Sequence, residues 1–120
     1  MKIESIKFKA KSLNSGKWIE GDLIRQSNGI YIRRHKNLSV IVDASTVCQF
    51  TGLKDCKGNE IWEGDMIKSP YLGNVAIVEW DDSLCGFKCV DERRYINYSL
   101  RALVESSGWS LIGNKFDKKK

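Results

Sequence analysis

Residues 51–67, TGLKDCKGNEIWEGDMI, constrain the fold more than any other part of the chain. Asp55-Cys56-Lys57-Gly58-Asn59 is turn chemistry. An Asp carboxylate caps nearby backbone N–H groups, and Gly and Asn accept positive φ at little cost. Glu60-Ile61-Trp62-Glu63 then leads to a second corner, Gly64-Asp65. The Gly permits a tight bend or bulge, and Asp65 is placed to accept backbone N–H groups of the turn. Met66-Ile67-Lys68 starts a strand that Ser69-Pro70 ends, because Pro has no N–H to give a ladder. Gly73-Asn74 turns the chain into residues 75–80, where both period-two sets are largely apolar. That strand is expected to be buried on both faces or to end in a barrel. Gly-Asp-x-Ile answered by Gly-x-Val-x-x-Val-x-Trp is also the pattern of the first hairpin in many small SH3-like barrels, an analogy of fold alone.

The N-terminal part carries the same kind of punctuation. Residues 5–10 alternate polar and apolar, which predicts a half-buried strand whose outward Lys side chains discourage edge pairing. A turn at 13–17 precedes Trp18, and Glu20-Gly21-Asp22-Leu23-Ile24 then echoes Glu63-Gly64-Asp65-Met66-Ile67 at an offset of 43 residues. Either both copies are turn-to-strand transitions that use one good local solution, or a β-unit is duplicated. Ser27-Asn28-Gly29 predicts a hairpin. A polar loop at 34–37 and a strand at 38–42 follow, and Asp43 is placed to cap a turn or a single helical turn. Residues 47–50 run extended into the central stretch.

Beyond Trp80, Asp81-Asp82-Ser83 is a turn, 84–90 reads as a strand and 91–94 as a charged turn. Residues 95–107 are ambiguous. Leu100, Leu103 and Val104 have helical spacing behind a Ser99 cap, yet Arg101–Val104 would also serve as a strand. A short helix or irregular segment is the preferred reading. Residues 108–114 form a closing strand, and the last six residues fray. With one Pro, many short turns and at most one short helix, the fold class is mainly β. The expected division is a β-rich N-terminal part over 1–45 and a barrel over 46–120.

The 120 residues suffice for one core without covalent staples. The net charge is +5, but three of the twenty basic residues are the terminal Lys118, Lys119 and Lys120, so part of the excess belongs to the tail. No apolar run is long enough to span a membrane and no signal-peptide core follows Met1-Lys2, which predicts a cytoplasmic protein. Cys48, Cys56, Cys85 and Cys89 are expected to be free thiols. A zinc site is the alternative, but Cys85 and Cys89 are its sole well-spaced pair.

Several of these segments resemble the YopX family of phage and prophage proteins. The resemblance rests on Gln49-Phe50-Thr51-Gly52-Leu53-Lys54-Asp55, Lys57-Gly58-Asn59-Glu60-Ile61 and Glu63-Gly64-Asp65. Val78-Glu79-Trp80-Asp81, Leu111-Ile112-Gly113-Asn114 and the opening Ile6-Lys7-Phe8-Lys9-Ala10 extend it over nearly the whole chain. The cysteines and the Lys118-Lys119-Lys120 ending depart from the family pattern. The resemblance implies a C-terminal SH3-like β-barrel after a β-rich N-terminal part. It implies no biochemical activity, since the family has no established one.

The residues point away from catalysis. His35, the lone histidine, lies among Arg33, Arg34 and Lys36, cations that disfavour its protonation. No Ser or Cys has a nucleophile context, no Gly-rich loop cradles phosphate, and Asp22 and Asp65 read as turn acceptors. The expectation is a non-enzyme with no catalytic residue, cofactor or metal. Its leading role is a protein-interaction module, by self-association or with a host or phage protein, through a hairpin tip at Pro70, Tyr71 and Leu72. The alternative is a small barrel that binds nucleic acid through Arg33, Arg34, Lys36, Arg93 and Arg94, with Tyr31, Tyr71 and Tyr95 near them. Interaction ranks first because the charge is modest once the tail is set aside.

Overall fold

Antiparallel hairpins at the punctuated turns make up most of the chain. The computed structural model describes residues 2–35, 38–70, 73–91, 97–105 and 108–117. The chain divides into two units, Met1–Phe50 and Thr51–Lys120.

The first unit opens with a 3-10 turn, Ile3–Ser5, and holds β1 (Phe8–Lys11), β2 (Trp18–Gln26), β3 (Gly29–His35) and β4 (Leu38–Val42). A second 3-10 turn, Ala44–Thr46, precedes β5 (Cys48–Lys54), which runs across the boundary. The order in this unit is β4-β3-β2-β1-β5. The first strand therefore starts later than its alternation predicts, because Ser5 and Ile6 donate back to the carbonyls of Lys2 and Ile3 and coil the chain. Nor is β1 an edge. It pairs with β2 on one side (Lys9 opposite Glu20) and with β5 on the other (Lys9 opposite Cys48). Its lysines thus decorate an inner strand. As expected, Asp43 caps the second 3-10 turn, accepting from the Ser45 amide at 3.0 Å.

The sheet curls until β4 meets the end of β1. Ser12 bridges Val42, Leu13 N–H donates to the Ile41 carbonyl at 3.1 Å, and Asp43 N–H donates to the Lys11 carbonyl at 2.8 Å. Gly21 makes a close approach possible in β2, since a Cβ there would lie 2.1 Å from the Arg33 carbonyl oxygen. The concave face buries Ala10, Ile32 and Val42, with Phe8, Ile19, Leu23, Ile30 and Val47 packed on them. These are alternate residues along β1, β2 and β3, as a one-sided core requires.

The second unit contains β6 (Glu60–Trp62), β7 (Asp65–Lys68), β8 (Val75–Asp81), β9 (Gly86–Asp91), β10 (Asn97–Ser99), α1 (Leu100–Glu105) and β11 (Ser110–Asn114). Its main sheet is antiparallel, in the order β10-β9-β8-β7-β11. Among the described residues no pairing closes this sheet into a barrel. Ile61, Ile67, Ala76, Val78, Cys89, Leu100 and Leu103 form the core. The ambiguous segment is helical over α1: Leu100 and Leu103 are buried, and Ser99 Oγ receives the Ala102 amide at 3.5 Å. The β8 strand is not buried on both faces. Ala76 and Val78 are inside, but Val75, Ile77 and Glu79 on the other face are only half-buried, and Trp80 at the end of the inner face is 45% exposed. Trp80 lies beyond the core at the hairpin end, edge-on to Phe87 at 5.2 Å.

The two Glu-Gly-Asp copies differ. Glu20-Gly21-Asp22 lies within β2, whereas Glu63-Gly64 is the turn between β6 and β7, with Gly64 at φ 84°. The shared sequence is not a shared corner. Gly21→Ala is expected to destabilise the protein by about 2–4 kcal/mol, because its Cβ would enter a carbonyl oxygen. Gly58→Ala, also at positive φ but with open space around it, costs only about 1–2 kcal/mol. Urea denaturation of both variants checks the difference.

Candidate nucleic-acid interface

The acidic groups of the second unit that look chemically interesting are structural. Asp65 is 1% exposed; its Oδ2 accepts the Trp62 amide at 2.7 Å and its Oδ1 the Asn114 side-chain amide at 2.9 Å. Asn114 also donates to the Glu63 carbonyl at 3.2 Å. Asp55 accepts the Lys57 and Asn59 amides at 2.9 and 2.8 Å, the Asn59 side chain at 3.1 Å and the Leu111 amide at 2.9 Å. Burial works against the charge of Asp55, but the Leu111, Asn59 and Lys57 donors outweigh it and hold the carboxyl below its ordinary value. At the β8–β9 turn, the Ser83 hydroxyl and the Lys88 ammonium, 2.9 Å away, lower the Asp81 carboxyl likewise.

The cysteines divide by burial. Cys48 and Cys89 are buried, Cys56 and Cys85 exposed, and all four are free thiols. Burial pushes the Cys89 thiol up to about 12, far from a nucleophile. Among the described residues no three His, Cys, Asp or Glu side chains gather as a metal site.

Of the sequence-predicted sites, Arg33 and Arg34 are exposed near the end of β3. Lys36, Arg93 and Arg94 lie outside the described residues, as do Tyr71, Tyr95 and the terminal lysines. Pro70 is exposed, and its ring packs where a Gly108 Cβ would stand, 2.5 Å from Pro70 Cγ. Leu72 also lies outside the described residues, so the hairpin tip is described at Pro70 alone.

The cluster that sequence reading missed is the outer face of β1, β2 and β3. Register puts Lys9 opposite Glu20, Lys11 opposite Trp18 and Asp22 opposite Arg33. Paired residues share a face, so Lys9, Lys11, Trp18, Tyr31 and Arg33 project away from the core. The Lys9 ammonium stands 4.5 Å from the Trp18 ring centre and that of Lys11 5.5 Å. Lys7 stands 4.8 Å over Phe50 and 3.4 Å from Glu20. Partly exposed contacts of a lysine over a ring contribute only about 0.5–1 kcal/mol each. A nucleic-acid base stacked on an aromatic side chain contributes about 1–3 kcal/mol. The alternation of lysines was visible in the sequence; the aromatic ring that β2 brings beside them was not.

Charge is distributed unequally. Residues 1–50 hold nine Lys and Arg against four Asp and Glu, a net +5, while residues 51–120 hold eleven of each, a net zero. The whole excess of the protein therefore belongs to the first unit, and the lysine tail is balanced within the second.

The family model described as YopX protein matches residues 2–119. The chain belongs to the YopX family. A comparison with curated proteins finds no match to it. The signature stretch that points to the YopX family is the one whose Asp55 and Asp65 carboxylates organise the second unit, so its residue pattern has a structural cause. No described helix is long and apolar enough to cross a membrane.

Two outcomes follow for this YopX-family chain. A thiol reagent applied to the folded protein should label Cys56 and Cys85 quickly and Cys48 and Cys89 only after unfolding, as counted by intact mass. The folded pKa of Asp55 lies below its unfolded value, so its stabilisation is complete above the ordinary value of 3.8. It is lost as pH falls through the lower folded value. Asp55→Asn should be less stable by about 2 kcal/mol near neutrality. Its stability should also fall less steeply than the parent's below about pH 4, read by denaturation at each pH.

Proposed function

We propose that this YopX-family chain is a phage-type accessory protein of the host-cell cytoplasm that binds rather than catalyses, and that nucleic acid is the ligand of its first unit. The observation that carries the reading is the charge partition: a net +5 within 50 residues. Such a field attracts a polyanion and raises its encounter rate. The expected preference for a protein partner rested on discounting the tail, and the partition removes that discount. Reading the chain as a non-enzyme draws support from its carboxylates and thiols. Asp55 and Asp65 are occupied by backbone and amide donors, and the Cys89 thiol is buried and protonated.

We read the second unit as an SH3-like scaffold. A meander β7-β8-β9-β10, a short helix, and a last strand returning beside the first support that reading. A protein partner remains the second reading, favoured by the β8–β9 hairpin end, where Trp80 is 45% and Leu84 66% exposed on a turn tied down by Asp81. Exposed aromatic and aliphatic anchors on a rigid hairpin suit an apolar pocket of a partner.

Binding of a labelled oligonucleotide by the full chain tests the first reading. Affinity should fall by at least tenfold between about 50 and 200 mM salt, as counterion release requires. A variant lacking Lys118, Lys119 and Lys120 should keep most of it. No binding at the lower salt, by single strand or duplex, would discard nucleic acid as the ligand.

A further inference from the structure

We infer that single-stranded nucleic acid lies across the outer face of β1 and β2, with Trp18 as the platform for one base and Lys9 and Lys11 at the flanking phosphates. This rests on reading the first unit as nucleic-acid binding and specifies where and in what form the ligand sits. The outer sheet face offers a ring to an unstacked base, whereas a duplex keeps its base faces inside the stack. Trp18 stands at the start of β2, half-buried, with both ammonium groups within 5.5 Å of its ring centre. A base stacked on the ring replaces two partly exposed lysine–ring contacts of comparable combined strength, and the displaced ammonium groups gain phosphates as partners.

The same face carries two carboxylates, and they set the path. Glu20 is held 3.4 Å from the Lys7 ammonium, while Asp22 is exposed opposite Arg33. Both repel phosphate, which keeps the strand toward β1 and Trp18 and away from the middle of β2. Arg33, past Asp22 on β3, extends the positive rim. A single strand, with its bases turned to the face and phosphates toward the lysines, satisfies this arrangement; a duplex keeps its bases stacked on one another and offers no base face to the ring.

The test is fluorescence anisotropy of the full chain with a labelled oligothymidylate of about 12 nucleotides, within the span of small β-barrel sites. The matching duplex serves as the second ligand. The parent should prefer the single strand. Trp18→Ala should weaken it about tenfold or more, while Trp18→Phe, which keeps a ring, should weaken it less than about threefold. Lys9→Gln with Lys11→Gln should flatten the salt dependence by about 0.7 per lost phosphate contact. Asp22→Asn should tighten binding. Thermal melts of each variant identify any that fail to fold, and Trp18→Phe keeps the test open if Trp18→Ala does. Single-strand binding that is unchanged in Trp18→Ala overturns this site while leaving nucleic acid as the ligand. Duplex binding as tight as single-strand binding overturns the stacked mode. No binding of either by the parent overturns both.

Discussion

Buried carboxylates that accept backbone N–H groups are the constraint on which the second unit depends. Asp65 fastens the β6–β7 corner by taking the Trp62 amide, and through Asn114 it ties that corner to β11, 49 residues later. Asp55 closes its own turn and takes the Leu111 amide, 56 residues away. A carboxylate away from water is stable only when such donors surround it. Each therefore specifies its neighbours' backbone geometry rather than merely tolerating it. The same two residues account for why the stretch from Thr51 to Ile67 reads as a signature: its Asp, Gly and Asn positions are bonding positions.

The first unit is held differently. Its core is small and one-sided, and curling of the sheet brings β4 to the end of β1. Gly21 marks the position in β2 where no side chain fits against the Arg33 carbonyl. With the concave face used for the core, the outer face is left to carry lysines, Trp18 and Arg33. Charge that would have repelled inside the core is placed where solvent screens it and a polyanion can reach it.

Local chemistry was legible in the sequence and long-range chemistry was not. The Asp55 turn, the Asp43 cap, the hairpin at Ser27-Asn28 and a helix behind Ser99 were readable because each depends on residues a few positions apart. The partners of Asp55 and Asp65 on β11 were invisible, since nothing near Asp55 in sequence announces Leu111. Alternation located β1 but not its neighbours, so lysines expected to discourage edge pairing turn out to lie on an inner strand. The echo at Glu20 misled for the same reason: an identical tripeptide becomes strand or turn according to what pairs beside it. The site was half legible. Arg33 and Arg34 stood out as a cluster, whereas Trp18 gains its place beside Lys9 and Lys11 only through the β1–β2 register.

On the proposed reading, the neutral and internally cross-tied second unit is the scaffold, and the first unit, which carries the whole excess charge, meets the ligand. The most direct measurement is a heteronuclear NMR titration of the isotope-labelled full chain with a short single-stranded oligonucleotide. The account predicts shifts concentrated on residues 8–33, led by the Trp18 indole N–H, with the Trp62, Asn59 and Leu111 amides unmoved. Shifts centred instead on Trp80 and the β8–β9 hairpin, or spread evenly over both units, would contradict it.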